Sequence, residues 1–153
     1  MPEPYADNPK PGPHVQGHYK IRNVATGHEL AILNASAEDA AGLITWTPAE
    51  SPNQKFEMRA TTGGWEVAPL HVGGKCLDVP RSSLTRGEPV TQFRCTGNAN
   101  QALRVIRQPN GDYELVFKHS GLRLTAPAKA GAPVTQTPYD GSDVQKWRFA
   151  DAA

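Results

Sequence analysis

The sequence predicts an all-β fold in which three similar units close into a pseudo-three-fold barrel of about twelve short strands. Three observations predict it. Sliding the chain against itself by 47 residues aligns positions 27–58 with 74–105 without a gap. That slide brings Gly27 onto Gly74, Leu30 onto Leu77, Trp46 onto Phe93, Asn53-Gln54 onto Asn100-Gln101 and Phe56 onto Leu103. A further slide of 44 residues lays 87–105 on 131–149, matching Pro-Val-Thr-Gln at 89–92 with 133–136 and Gln101 with Gln145. Each unit also opens alike, with Gly17-His-Tyr-Lys-Ile, Gly63-Gly-Trp-Glu-Val and Gly111-Asp-Tyr-Glu-Leu. A period of this size marks a repeat architecture. The repeats span 17–62, 63–110 and 111–150, giving one domain over 17–150 behind an N-terminal arm of 1–16.

The elements follow in chain order. Pro2, Pro4, Pro9, Pro11 and Pro13 suit an extended arm outside the repeats. Tyr19, Ile21 and Asn23 then alternate with Lys20 and Arg22, and Tyr113, Leu115 and Phe117 alternate with Glu114 and Val116. Such period-two runs, bounded by Gly, Pro, Asn and Asp, read as strands and hairpins, three or four to a unit. Fourteen Gly, fourteen Pro and only 38% apolar residues agree with short strands joined by turns. The single helix candidate is 36–41, too short to be marked firmly. A three-fold all-β chain leaves exposed sheet edges unless it closes on itself. In a closed barrel Phe56, Leu103 and Trp147, near the ends of the three units, fill equivalent places in one core.

Bulk properties exclude several classes. A formal charge of +1 gives no reason to expect nucleic acid or an anionic membrane, since either usually wants a basic patch. No window approaches the apolar length that spans a bilayer. Residues 1–16 lack the apolar core of a signal peptide, which places the chain in the cytoplasm or marks a leaderless mature form. Cys76 and Cys95 both lie in the second unit. A bridge between them closes a loop of about 20 residues, worth roughly 3 kcal/mol; in a reducing compartment the alternative is two buried thiols. Their placement within the repeat favours pairing.

Residues 73–105 read Gly-Gly-Lys-Cys-Leu-Asp-Val, then Gly-Glu-Pro-Val-Thr-Gln-Phe-Arg-Cys, then Asn-Ala-Asn-Gln-Ala-Leu. This resembles the ricin B-chain-type lectin family, whose units carry a Cys-Leu-Asp-Val run and a terminal Gln-x-Trp. The tripeptide stands intact as Gln145-Lys146-Trp147 and softened as Gln54-Lys55-Phe56 and Gln101-Ala102-Leu103. The resemblance covers about 17–150 and implies a β-trefoil.

A sugar is recognised by a carboxylate and an amide at its hydroxyls and by a flat aromatic surface at its C–H face. The second unit offers both, with Asp78, Thr91, Phe93, Asn100 and Gln101. The resemblance implies that Asp78 and Asn100 bind hydroxyls, Phe93 stacks and Gln101 buttresses Asp78. Two departures bear on affinity and specificity: Thr91 stands where the family often has Gln, and Phe93 where it more usually has Trp or Tyr. Trp46 and Asn53 make the first unit a candidate second site, but Ala31 takes the place of Asp78. In the third unit Thr125, Thr137 and Val144 replace the Asp, the aromatic and the Asn, which reads as scaffold. Each residue also has a plainer use: Asp78 as a turn cap before Pro80, Phe93 as packing, and the three glutamines as structural supports.

Nothing in the sequence points to an enzyme or a cofactor. The five histidines are scattered without metal-ligand spacing, no nucleophile elbow or phosphate loop occurs, and Asp78 has no second acid for glycoside hydrolysis. The expected function is a non-catalytic lectin acting mainly through the second repeat, with galactose-type glycans favoured by the resemblance. The alternatives are a lectin-like subunit that docks on a protein partner, and a trefoil protease inhibitor using the loop 81–86 or 126–132.

Overall fold

The computed structural model describes residues 17–152. The expected arm of 1–16 therefore lies outside the described residues. Thirteen strands follow one another: β1 (Gly17–Asn23), β2 (Glu29–Ile32), β3 (Leu43–Trp46), β4 (Phe56–Thr61), β5 (Gly64–Pro69), β6 (Lys75–Asp78), β7 (Glu88–Pro89), β8 (Thr91–Arg94), β9 (Leu103–Arg107), β10 (Tyr113–Phe117), β11 (Arg123–Thr125), β12 (Thr135–Thr137) and β13 (Trp147–Asp151).

Strands β1, β4, β5, β9, β10 and β13 pair in that order, and β13 returns to β1, so six strands close a barrel without a free edge. The hairpins β2–β3, β6–β8 and β11–β12 are the remaining part of each unit. The starts of their second strands are linked around one axis, through Leu43, which opens β3, and Val90 and Val134, which immediately precede β8 and β12. Leu43 N–H donates to Val90 O, Val90 N–H to Val134 O and Val134 N–H to Leu43 O, each at 2.9 Å. This three-membered ring of hydrogen bonds is the pseudo-three-fold axis. A six-stranded barrel with three hairpins about such an axis is a β-trefoil.

The core is assembled from equivalent positions. Leu30, Leu77 and Leu124 are fully buried, as are Phe56, Leu103 and Trp147 at the ends of the units. Burying a side chain of this size contributes about 1.5–3 kcal/mol. The repeated glutamine at 54, 101 and 145 bridges each hairpin internally: its Nε2 donates to the carbonyl of Thr47 at 3.1 Å, of Arg94 at 2.9 Å and of Pro138 at 2.7 Å.

One sequence expectation needs correction, and one strand is buried on both faces. Residues 36–41 form no helix; a short 3-10 turn lies just before them at Leu33–Ala35. The buried Gln92 amide takes the carbonyls of Ser36 and Glu38, each at 2.8 Å, and so holds them toward the next unit instead of toward helical donors. In β10 both alternating sets are buried, including Glu114 and Val116. Glu114 is tolerated there because Arg123 Nε donates to its Oε1 at 3.1 Å.

Candidate functional site

In the second unit β6 and β8 pair antiparallel with Cys76 opposite Phe93 and Asp78 opposite Thr91. The pleat sends Leu77 and Gln92 into the core, both fully buried, and leaves Asp78, Thr91 and Phe93 on the other face. There they line a cleft of about 440 Å³ together with Asn100. Two further walls come from the turn Pro80–Ser82 and from Thr96 and Asn98, and Ala40 reaches in from the first unit. Four of the five residues expected at a sugar site thus meet in one cleft. Gln101 stands behind it, fully buried.

The polar groups of the cleft are arranged by that support. Gln101 Nε2 donates to Asp78 Oδ2 at 2.8 Å, and Asn100 Nδ2 donates to the same oxygen at 3.2 Å and to Val79 O at 2.9 Å. The amide protons of Asn100 are therefore spent within the protein, and what it offers the cleft is its carbonyl oxygen. Both bonds to Asp78 fall on Oδ2, which leaves Oδ1 to accept from a ligand. Thr91 Oγ1 is buried and has no hydrogen-bond partner among the described residues. Burial pushes the Asp78 carboxyl above the ordinary carboxylate range, against the hydrogen bonds of Gln101 and Asn100, which favour its ionised form. The arrangement presents acceptors to a ligand that brings hydroxyl donors, beside an aromatic ring.

The hairpin is tied to its surroundings on both sides. Asp39, from the first unit, accepts from Lys75 Nζ at 2.6 Å and from the Arg94 backbone N–H at 3.0 Å, and Arg94 Nη2 lies 3.3 Å from its Oδ2. The Lys75 hydrogen bond holds the Asp39 carboxyl below its usual range. Cys76 and Cys95 are joined by a disulfide, with Arg59 Nη2 3.5 Å from each sulfur. The guanidinium carbon of Arg94 sits 5.3 Å from the Phe93 ring centre, a cation–π contact that holds the ring.

The other units keep the frame and lose the chemistry. The first has a cleft of similar size, about 440 Å³, that includes Ala31, Ile44, Trp46 and Asn53. Trp46 is 48% exposed. Asn53 Nδ2 donates to Ile32 O at 2.9 Å, as Asn100 does to Val79 O. With Ala31 in place of the carboxylate, Gln54 turns instead to Glu29 Oε1 at 3.3 Å. In the third unit the hydroxyls of Thr125 and Thr137 bond each other at 2.6 Å, and Gln145 Nε2 donates to Thr137 Oγ1 at 2.9 Å. That set is closed on itself. Among the described residues no three His, Cys, Asp or Glu side chains are placed to hold a metal ion.

The profile of the ricin-type β-trefoil lectin domain-like family matches residues 10–93 and 71–136. The chain belongs to this family. Among solved structures it is similar to ThreeFoil, a designed three-fold symmetric protein, with 34% identity, 88% of this chain and 99% of that one covered, and a TM-score of 0.83. It is also similar to part of an exo-β-1,3-galactanase from Clostridium thermocellum, at 25% identity and TM-score 0.82 over 87% of this chain but 30% of the enzyme. The ricin B-like lectin of Macrolepiota procera, solved in complex with lactose, shares the fold at 15% identity and TM-score 0.73, with 88% and 94% covered. No curated protein matches.

Sequence reasoning missed the walls of the cleft: Ala40, the turn Pro80–Ser82, Thr96 and Asn98. Arg81 and Ser82, three and four residues after Asp78, carried a local signal, since a turn there must pass beside the carboxylate. Ala40 carried none, because it arrives from another unit.

Proposed function

We propose that this ricin-type lectin-like domain binds a glycan mainly through its second unit and has no catalytic role of its own. The observation that supports it most is the meeting of Asp78, Thr91, Phe93 and Asn100 in one cleft with Gln101 buttressing the carboxylate, while Ala31 and Thr125 leave the other two units without one. Asp78 Oδ1 and the Asn100 carbonyl accept from vicinal hydroxyls, and Phe93 covers the apolar face of the ring. Galactose-type sugars are the favoured ligands, on the resemblance of the motif to its family. Glycoside hydrolysis uses two carboxylates across one bond, and among the described residues Asp78 is the one acid that lines this cleft.

One such site at about millimolar affinity supplies roughly 4 kcal/mol. Lectins commonly gain strength by presenting several sites together, so a monomer with one complete unit is expected to bind free sugar without crosslinking cells. The test is a glycan-array screen of the protein beside its Asp78→Ala variant. Binding that disappears in the variant supports the reading. Binding that survives moves the site, with Trp46 and Asn53 next in line; silence from both proteins removes the lectin reading and leaves a protein partner as the target to seek.

A further inference from the structure

We infer that the second-unit cleft selects an acidic saccharide, with Arg81 taking a carboxylate or sulfate next to the ring that Asp78 anchors; this rests on the reading of that cleft as a glycan site. Arg81, in the middle of the turn Pro80–Ser82, lines the cleft. Its backbone is in the left-handed region, with φ 56°, as is that of Ser82 with φ 52°. A residue with a Cβ and a long side chain is disfavoured there. The matching position in the first unit has the same φ but is Asn34, a residue that tolerates it. An arginine at this place sets a long cationic side chain beside the carboxylate-bearing cleft, in the unit that carries the rest of the site.

The guanidinium is also open for work. Arg22, Arg59, Arg123 and Arg148 each donate a hydrogen bond to a carboxylate. Arg94, whose guanidinium packs on the Phe93 ring, is held by Asp39. Among the described residues Arg81 pairs with Glu88 alone, whose Oε2 is 3.7 Å away, beyond hydrogen-bond length, and its side chain is 77% exposed. A guanidinium in this state can take a planar carboxylate or a sulfate through two parallel N–H donors. Asp78 repels a ligand anion placed on the hydroxyls it accepts, so the acidic group has to sit on the Arg81 side, as a substituent or as the neighbouring sugar. Glu88 shares the cation, and solvent reaches it, so the gain is modest and depends on salt.

The test is calorimetric titration of the full chain with lactose and with its 3′- and 6′-sialylated derivatives, at low and high salt, for the wild type and Arg81→Gly. Glycine relaxes the left-handed turn, and a thermal melt verifies that the variant is folded. The readout is the ratio of affinities for sialylated and plain lactose. At low salt we expect at least one sialylated ligand to bind the wild type about three- to tenfold tighter than lactose, with the ratio falling toward one at high salt and in Arg81→Gly. Lactose binding with no advantage for either sialylated form, or an advantage that survives in Arg81→Gly, overturns this inference and leaves the glycan site standing. Failure of all three sugars to bind overturns this inference together with the galactose-type preference, and the glycan array then decides the glycan site itself.

Discussion

The second and third units share a backbone, a buried glutamine and a place in the core, yet only one of them presents open acceptors. Gln101 and Gln145 each donate to the carbonyl closing their hairpin, and each accepts a backbone N–H, from Thr96 at 2.8 Å and from Asp140 at 3.0 Å. The difference lies in what else the amide meets. Against Asp78 it supports one oxygen of a carboxylate and leaves the other for a ligand; against Thr125 and Thr137 it completes a hydroxyl cluster that satisfies itself. A repeat can therefore lose its site without losing its fold, because the glutamine serves the frame in every unit and the site in one.

The largest expected effect that sharpens this comparison is on stability. Gln101→Ala and Gln145→Ala each empty a fully buried side-chain site and remove the partner of one part-buried carbonyl and one part-buried N–H, at a cost of about 2–4 kcal/mol in denaturant unfolding. Only Gln101→Ala is also expected to weaken glycan binding, because only Gln101 orients a carboxylate in the cleft. Equal loss of binding in both variants would show that general loosening, not the Asp78 contact, controls the site.

Next comes pH. Burial raises the Asp78 pKa, so the folded chain holds this proton more tightly than the unfolded chain does, and acidification through that interval favours the fold with respect to this group. The same protonation removes the charged acceptor that the sugar uses. Asp39 has the opposite sign: its lowered pKa contributes stability that is present above its unfolded value and is lost only as pH falls through the lower folded value. On acidification, glycan binding is thus expected to fail first, with the hairpin tether at Asp39 giving way in stronger acid. Titrations of affinity and thermal midpoint across the acid range check this; a midpoint that falls together with affinity would contradict it.

The smallest effect tests how much of the site one carboxylate makes. Ala31→Asp restores the missing acid beside Trp46 and Asn53, at a stability cost of about 1–3 kcal/mol for burying it with incomplete support. Because Gln54 is engaged with Glu29, the new site is expected to be weaker than the second-unit site, raising the stoichiometry of a sugar titration from one ligand toward two. A stoichiometry that stays at one would mean that the buttressing glutamine, and not the carboxylate alone, decides which unit binds.

The three-fold architecture was legible because it is written as self-similarity: Leu30, Leu77 and Leu124 repeat at the register that puts each on the core side of its hairpin. The cluster of Asp78, Thr91, Phe93 and Asn100 was legible for a related reason, since all four belong to one unit and period two carries the strand residues onto one face. The helix candidate at 36–41 failed where the competing partner was remote, because Gln92 lies in the next unit. The burial of Glu114 likewise depends on a partner from another strand, Arg123, which alternation within β10 does not reveal.

By itself the sequence determined the number of units, the closure of the sheet, the core positions and which unit retains a carboxylate, an aromatic and an amide together. These are local or periodic properties, and a strand pleat converts them directly into faces. The tertiary structure alone decided that Ala40 walls the cleft, that Asp39 ties the site to the first unit, that Asn100 spends its protons internally, and that Arg81 is left with open donors. Each of these depends on which groups from separate segments come within hydrogen-bond reach, a distance that spacing along the chain does not encode.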